Sequence, residues 1–268
     1  MTGRLHGQVV RPTRTATWNY IRGNDTDASA HARCRPDRRW FVSIDAWDED
    51  AYAPLMTAMC EDLRQDLYMN VSGDDGGLAR WRKLGFEIGR REIEFTIPVD
   101  PARTGLTDAP PPDGIVLISA DAVDEQGLRE LDDRLRADVP GTDGWVNDPQ
   151  EFREDTFDER HFDPATYLVA VDDSREEFAG LVRVWTHPRH SRLGLIGTTA
   201  SYRRRGLARA LLAAAFAPLH ERGIAQISAE ADATNAASMR LLESIGATPT
   251  VETLELIRRS DHSVDLWT

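Results

Sequence analysis

A basic turn with one glycine, Arg203-Arg204-Arg205-Gly206, most narrows what this chain can fold into. It lies between an apolar, strand-like segment at 193–198 and an alanine-rich helical pattern at 207–222. The first N–H groups of a helix lack partners within the helix and lie at the positive end of its dipole. Such a turn is suited to hold an anion, and its successive amides can form a concave site for a diphosphate. A plain helix start with solvated arginines is the other interpretation.

A second strand-to-helix segment follows in the sequence. An apolar strand pattern at 224–230 leads into Asn235, a residue type that caps helix N-termini. The helical pattern after it stops at Gly246, where a left-handed C-terminal residue is expected. Its apolar side chains fall on one helical face and are Met239, Leu242 and Ile245. Together with the apolar strand patterns before them, the two segments predict a mixed α/β fold with a parallel step across the site.

These two segments resemble motifs of the GNAT superfamily of acyl-CoA-dependent N-acyltransferases. The resemblance rests on Arg-x-x-Gly-x-Ala at 203–208 and on Asn235 before the helix that ends at Gly246. The matching motifs cover 193–258, and the wider resemblance reaches back to about Gly114. It implies an α+β mixed-sheet fold. It also implies an N-acetyltransferase that moves an acetyl group from acetyl-CoA to a primary amine by direct attack.

The same resemblance implies which residues hold the cofactor. The pantetheine arm would pair with the backbone of Ile196, Gly197 and Thr198. Asn235 would bond the pantetheine or the adjacent backbone, and a plain helix cap is its simpler role. The diphosphate would rest on the amides of the turn and of the first helical residues, which are Arg203, Arg204, Arg205, Gly206, Leu207, Ala208 and Arg209.

The acid–base residues of the family are missing from their usual positions. Many members place a tyrosine four residues before the late-helix glycine, as donor to the leaving thiolate, and here that residue is Leu242. Members also often carry a glutamate base on the strand before the turn, and 193–198 contains none. An amine with an ordinary pKa of about 10 must lose a proton before it attacks. Glu230 is the first candidate base, and the further candidates for acid or base are Asp232, His187, His190 and Tyr202.

The sequence indicates two copies of one architecture. Prolines and polar residues at 100–113 are typical of a linker that holds no regular structure. Strand and helix patterns alternate in front of it as they do behind it, which favours duplication. The sequence therefore predicts a degenerate GNAT-like domain with the linker at 1–109 and a catalytic GNAT domain at 110–268.

The two predicted copies differ at the turn that would hold the anion. The spacing from Asp74 to Gly85 equals that from Asn235 to Gly246, so the late helices correspond. The front copy, however, has Asp-Ala-Trp-Asp-Glu-Asp at 45–50, where the anion-holding turn is expected. Four carboxylates would repel a diphosphate, and we therefore expect the front copy to bind no CoA.

The formal net charge of −13 at pH 7 limits the partners. Nucleic acid is excluded as a general partner, because a polyanion is bound by basic surface. A negative surface attracts cationic amines, although solubility also explains the charge. An acidic tract at 151–159 with Trp145 suits a cationic acceptor, and a solvated helix face is its plainer interpretation.

Other residue patterns indicate the cellular location and whether the chain binds a metal. No apolar run approaches a membrane span, and the opening residues lack the apolar core of a secretion signal, so we expect a cytoplasmic protein without a membrane partner. Cys34 and Cys60 are expected to be free, buried thiols. No cluster of histidine and cysteine predicts a metal site.

Several functions stay open from the sequence. The leading hypothesis is an acetyltransferase for a small-molecule or peptide amine, with its site in the C-terminal domain. A mycothiol-synthase-like enzyme is the second, because tandem GNAT halves with an active rear half resemble that type. A non-catalytic acyl-CoA sensor or scaffold is the third, motivated by Leu242 and the missing strand glutamate. An unrelated α/β interaction module is the fourth, and the oligomeric state stays open.

Overall fold

The computed structural model describes residues 4–10, 14–22, 25–73, 76–107, 109–187 and 190–260. The described residues form two compact units. The first unit comprises those of Met1–Arg91 and Glu252–Thr268, and the second unit is Glu92–Val251. The division at 109 and 110 inferred from the sequence stays a prediction.

The first unit is a mainly antiparallel sheet with helices on one face. Its helices are α1 (Tyr52–Leu63) and α2 (Leu78–Lys83). Its strands are β1 (Arg4–Val10), β2 (Thr15–Arg22), β3 (Asp25–Cys34), β4 (Trp40–Ala46) and β5 (Leu67–Ser72). Strands β4 and β5 are parallel, and their pairing covers only Trp40 with Leu67 and Phe41 with Tyr68.

The second unit is a mixed sheet with helices on both faces. Its strands include β7 (Ile115–Ser119), β8 (Tyr167–Asp172), β9 (Glu177–Trp185), β10 (Arg192–Thr198) and β11 (Gln226–Asp232). Its helices are α3 (Pro101–Thr104), α4 (Glu125–Arg136), α5 (Pro149–Thr156), α6 (Leu207–Glu221) and α7 (Ala236–Ser244). One core lies against α6 and α7, and a separate core lies against α4 and α5.

Each unit contains a strand segment from the other half of the sequence. Strand β6 (Glu87–Pro98) passes into the second unit, where its last residues pair antiparallel with β11. Strand β12 (Thr248–Arg258) passes into the first unit, where its last residues pair antiparallel with β5. Leu254 and Leu256 consequently lie in the core of the first unit. The alternating patterns predict both strands, but only the pairing decides which core each strand completes.

The linker expected at 100–113 is partly structured, which corrects that expectation. Asp100 accepts a hydrogen bond from the Ala102 N–H at 2.9 Å, and Pro101 begins the short helix α3. An N-cap followed by proline is a favourable helix start even in a short segment. Leu106 is 4% exposed and belongs to the second unit's larger core, so this segment is packed rather than free.

One further expectation, that the cysteines are buried, is adjusted by the structure. Cys34 and Cys60 are not joined in a disulfide, and both are half-buried rather than buried. Helix α6 continues past Pro218 and ends at Glu221, because a proline removes one N–H donor without preventing the last turn from closing through other bonds. No helix in the described ranges is long and apolar enough to span a membrane.

Candidate active site

Strands β10 and β11 separate after a short stretch of parallel pairing. They pair only at Arg192 with Ser228 and at Leu193 with Ala229. A register shift between Leu193 and Leu195 then marks an irregularity in the pairing of β10 with β9. Beyond it, the described part of the chain gives β10 no strand partner on its β11 side. An exposed strand edge of this kind can accept an added extended chain through main-chain hydrogen bonds.

The residues along this open edge are Ile196, Gly197 and Thr198, which pair with β9 on their other side. Glycine residues allow β9 and helix α4 to approach this part of β10 closely. A Cβ atom on Gly180 would lie 2.5 Å from the Gly197 carbonyl oxygen, and one on Gly197 would lie 3.1 Å from Leu135 Cδ2 of α4. The open edge is therefore backed directly by β9 and by helix α4.

The basic turn after β10 leaves several amides without intrahelical partners. Arg204 and Gly206 both adopt left-handed conformations, with φ of 62° and 84°. The first bond of helix α6 runs from the Ala210 N–H to the Gly206 carbonyl at 3.0 Å. The amides of Leu207, Ala208 and Arg209 thus precede the helical ladder, and no side chain caps the helix. A Cβ on Gly206 would meet nothing within 4 Å, so the turn is open to a ligand.

The arginine side chains of this turn are mostly engaged with the protein. Arg203 is exposed, pairs with Asp138 and donates to the Thr198 carbonyl at 3.3 Å. The guanidinium of Arg205 stacks 5.5 Å from the centroid of the Tyr202 ring, and Arg209 donates to the Gly105 carbonyl at 2.6 Å. The backbone amides, with the helix dipole, are therefore the principal means of holding an anion here.

Tyr202 does not present its hydroxyl as a free acid. It is 3% exposed and donates to Asp172 Oδ2 at 2.7 Å. That hydrogen bond is the main reason why the pKa of Tyr202 is raised above its usual value. The Asp172 carboxylate also accepts the Ser174 hydroxyl at 2.6 Å, and these two bonds, that from Ser174 first, lower the pKa of Asp172. Tyr202 anchors the turn instead.

Glu230 lies on β11 beside the opening and is held by an ion pair. Its Oε2 atom is 2.6 Å from Arg192 Nη2, and each side chain is 42% exposed. The neighbouring Ala229 and Ala231 face the core, so Glu230 faces the opposite side of the sheet. A half-exposed carboxylate beside the open strand edge can accept a proton directly or through water.

The other candidate bases have different roles in the structure. Asp232 is 4% exposed and accepts the Thr234 N–H at 2.7 Å, which forms the turn before α7. His187 and His190 are exposed and stack with their ring centroids 6.4 Å apart. None of these three is placed in the pairing that surrounds the open edge of β10.

Asn235 caps helix α7, as its position in the sequence predicts. Its side-chain oxygen accepts the Ser238 N–H at 3.1 Å. Leu242 is 5% exposed and lies in the core, and Gly246 has a φ of 71°. The simpler role of Asn235 is thus present, and its contact with a cofactor stays a prediction.

The acidic tract lies on helix α5 and the turn after it. Its carboxylates face outward, while Phe152 and Thr156 are 4% and 2% exposed and face the sheet. Trp145 donates to Asn147 Oδ1 at 3.0 Å, and Arg136 stacks on its ring at 4.4 Å. The described side chains offer no group of three His, Cys, Asp or Glu that could hold a metal ion.

Sequence reasoning located the turn and the strand, but missed two features of the site. The register shift in β10 and the contact of Gly197 with Leu135 follow from packing. Glycine within a strand was an available signal for them, because it often marks a bulge or a close approach. The buried polar groups beneath β8 and β9 had no such signal.

The second unit thus combines an open strand edge with a turn lined by backbone amides. Residues 129–247 match the model of the acetyltransferase (GNAT) family. The expected mixed α/β fold with two GNAT-like halves is confirmed by similar solved structures.

Two solved structures illustrate the likeness across both units. A GCN5-related N-acetyltransferase from Sphaerobacter thermophilus is 18% identical with a TM-score of 0.66, covering 95% of this chain and 83% of that one. A tandem GNAT protein from the clavulanic acid biosynthesis pathway is 14% identical with a TM-score of 0.66, covering 92% and 83%. At these identities the likeness shows the fold.

One curated relative is similar in sequence. A mycothiol acetyltransferase of Clavibacter michiganensis subsp. michiganensis (strain NCPPB 382) is 30% identical over 167 residues. The match covers 62% of this chain and 53% of that relative, so it spans about half of the relative's length.

Proposed function

We propose that the second unit transfers an acetyl group from acetyl-CoA to a primary amine of a small molecule or peptide. The observation that carries the proposal is the continuity of two features. The open edge of β10 at 196–198 leads, through a short 3-10 helix at Ala200–Tyr202, into a turn whose amides have no intrahelical partner. Few other ligands need an extended chain and a diphosphate to be held side by side.

Acetyl-CoA supplies the activated acyl thioester when it is bound. The backbone of Ile196, Gly197 and Thr198 would pair with its pantetheine arm. The amides from Arg203 through Arg209 would hold its diphosphate, with Gly206 leaving the space open. Asn235 would add a bond from the start of α7. Positioning of this kind is a large part of catalysis when two substrates must meet.

Glu230 is the proposed base for the incoming amine. The amine arrives mainly protonated, because its ordinary pKa is about 10. Glu230 is half-exposed and faces the side of the sheet opposite the α6 core, so a proton can leave through it to solvent. Arg192 fixes its orientation at 2.6 Å. No described residue takes the place of a thiolate donor at Leu242, so water would supply that proton.

Two alternatives have specific support. The 30% identity to a mycothiol acetyltransferase favours a thiol-sugar amine as acceptor. The buried Leu242 favours a protein that binds acyl-CoA without turnover. Turnover of a defined thiol-sugar amine would identify the first, and acetyl-CoA binding without turnover on any amine would identify the second. We propose the same cytoplasmic location for this enzyme that the sequence predicts.

A calorimetric titration with acetyl-CoA tests the proposal. We expect one site per chain in the wild-type protein and loss of that site in Gly206→Asp, which adds charge to the turn. Gly223→Asp is the matched control, because Gly223 also has a positive φ (77°) and a Cβ there would also meet nothing within 4 Å. Absence of binding in the wild type, or equal loss in both variants, would contradict the proposal. Two sites would contradict a degenerate first unit.

A further inference from the structure

Four buried polar atoms in one layer of the second unit lack hydrogen-bond partners. They lie in the layer between the β8–β9 pair and helices α4 and α5. They are Asp132 Oδ2, Thr156 Oγ1, Tyr167 Oη and Arg183 Nε. Their residues are 1%, 2%, 1% and 5% exposed. Buried polar atoms in native proteins are nearly always satisfied by protein, water or ligand, so this layer is arranged for a polar group that the chain itself does not supply.

Three of the groups form one cluster. Tyr167 and Arg183 are directly opposite each other in β8 and β9, and the Arg183 guanidinium lies 5.3 Å from the centroid of the Tyr167 ring. Asp132 contributes an electrostatic effect to the pKa of both residues. Burial raises the pKa of Tyr167, so its hydroxyl stays protonated and able to donate.

The Asp132 carboxylate and the Arg183 guanidinium each form hydrogen bonds through one atom and leave another atom without a hydrogen bond. Asp132 Oδ1 accepts from Arg136 Nε at 2.6 Å and from Asn147 Nδ2 at 2.9 Å, which leaves Oδ2. Arg183 Nη2 donates to the Asp155 carbonyl at 2.7 Å, which leaves Nε. The cluster is therefore rigid, as a specific binding site requires.

The cluster lies next to the open edge of β10. Arg183 pairs with Leu195, the residue before Ile196. The Trp185 ring lies between two guanidinium groups, with Arg183 at 4.7 Å and Arg192 at 5.5 Å. Since Arg192 holds Glu230, stacked side chains connect the half-exposed candidate base to the buried cluster.

The unused atoms select one kind of ligand group. Asp132 Oδ2 needs a donor, whereas Arg183 Nε needs an acceptor and the Tyr167 hydroxyl can be either. An ammonium only donates and would leave Arg183 unsatisfied. A carboxylate only accepts and would be repelled by Asp132. A hydroxyl both donates and accepts, so a single hydroxyl satisfies both charged groups.

We propose that Asp132, Tyr167 and Arg183 recognise a hydroxyl group of the acceptor, which makes hydroxylated amines the substrate class of the second unit. This inference rests on the proposed acetyltransferase function. Glu230 would serve the reacting nitrogen, and the buried cluster would hold the hydroxyl at the other end of the acceptor. A site built to bond a hydroxyl discriminates strongly against the analogue that lacks it.

A matched pair of amines tests the inference on the full chain loaded with CoA. The probes are trans-4-aminocyclohexanol and cyclohexylamine, which differ by one hydroxyl, and affinity is measured by ligand-observed NMR titration. We expect the hydroxylated amine to bind about 10- to 100-fold more tightly to the wild type. Tyr167→Phe and Asp132→Asn should each reduce that ratio about tenfold. Tyr68→Phe, in the first unit, should leave it unchanged.

Several outcomes would overturn the inference while the proposed function stands. Equal affinity for the two amines, or no binding of either, would show that the layer holds only water. An unchanged ratio in both cluster variants, with native circular dichroism, would give the cluster a purely structural role. Failure of the wild type to bind CoA would overturn the proposed function as well, and the CoA titration that precedes the amines detects it.

Discussion

The two strand-to-helix turns of this chain follow the same arrangement of parallel strands. One turn is capped by a carboxylate of the protein, and the other has no side-chain cap. In both units two parallel strands pair over a short stretch and then separate. In the first unit Asp48 then accepts the Asp50 N–H at 3.1 Å and pairs with Arg22, so a carboxylate of the protein occupies the turn. In the second unit no side chain caps α6 at Gly206. Whether such a turn can take an external anion depends on one or two residues.

The units also differ in what covers the other face of the sheet. In the second unit, helices α4 and α5 lie between β7 and β8 in the sequence and pack on that face. In the first unit, β1 and β2 pair directly as neighbours, and residues 11–14 separate them. Among the described residues of the first unit, no helix lies between β1 and β2 to carry groups like Asp132 and Thr156. The proposed recognition of the acceptor therefore depends on residues of the second unit.

The largest expected effect tests which unit β12 completes. Leu256 is 1% exposed in the core of the first unit, so Leu256→Ala should cost about 2–5 kcal/mol of stability. Amide hydrogen exchange should then accelerate in β2 to β5 more than in β8 to β11. Val251→Ala, at a position 42% exposed, is the control. Faster exchange confined to the second unit would contradict the strand assignment.

A smaller effect tests the packing of α4 on β10. A Cβ on Gly197 would lie 3.1 Å from Leu135, so Gly197→Ala should cost about 1–3 kcal/mol through overpacking. Adding Leu135→Ala should cost less in the Gly197→Ala background than in the wild type, because the contact is relieved. Chemical denaturation of the wild type, the two single variants and the double variant gives the unfolding free energies of this double-mutant cycle. Strict additivity would show that the two residues do not touch.

Variants of Asn235, the cap of α7, can distinguish its role in stability from a role in cofactor binding. Asn235→Ala should cost about 1 kcal/mol through loss of the cap, whereas Asn235→Ser should keep most of it. If Asn235 also bonds the cofactor, both variants should weaken acetyl-CoA binding, by about tenfold for one lost hydrogen bond. Unchanged affinity in Asn235→Ser would leave Asn235 with the cap alone. Calorimetry and thermal unfolding give the two readouts.

The smallest expected effect is on the pH dependence of the unfolding free energy, through Asp172, which accepts the hydroxyl of Tyr202. The pKa of Asp172 is depressed by its bonds to Ser174 and then Tyr202. A carboxyl with a depressed folded pKa stabilises the fold fully above its unfolded pKa of about 3.9, and this is lost as the pH falls below it. The stability gap between wild type and Asp172→Asn should therefore shrink below about pH 4. A gap for Asp172→Asn that stays constant with pH would contradict the assignment.

Much of the second unit could be predicted from local sequence. The strand predicted at 193–198 and the cap at Asn235 lie where the patterns predict, because short-range periodicity and capping chemistry decide them. Strand β3 was not identified, since its buried positions are Ala28, Ala30 and Ala32 rather than large apolar residues. The linker was misjudged at Leu106, whose burial depends on a core formed far away in sequence.

The sequence by itself determined the two turns, since a left-handed Gly206 and a carboxylate cap at Asp48 act within a few residues of the chain. Only the tertiary structure decided that β6 and β12 each complete a core in the other half, because strand pairing joins residues that no local pattern links. It also brought Asp132, Tyr167 and Arg183 together from separate elements. Burial of unused polar atoms is a property of that assembled layer, and the proposed selection of the acceptor depends on it.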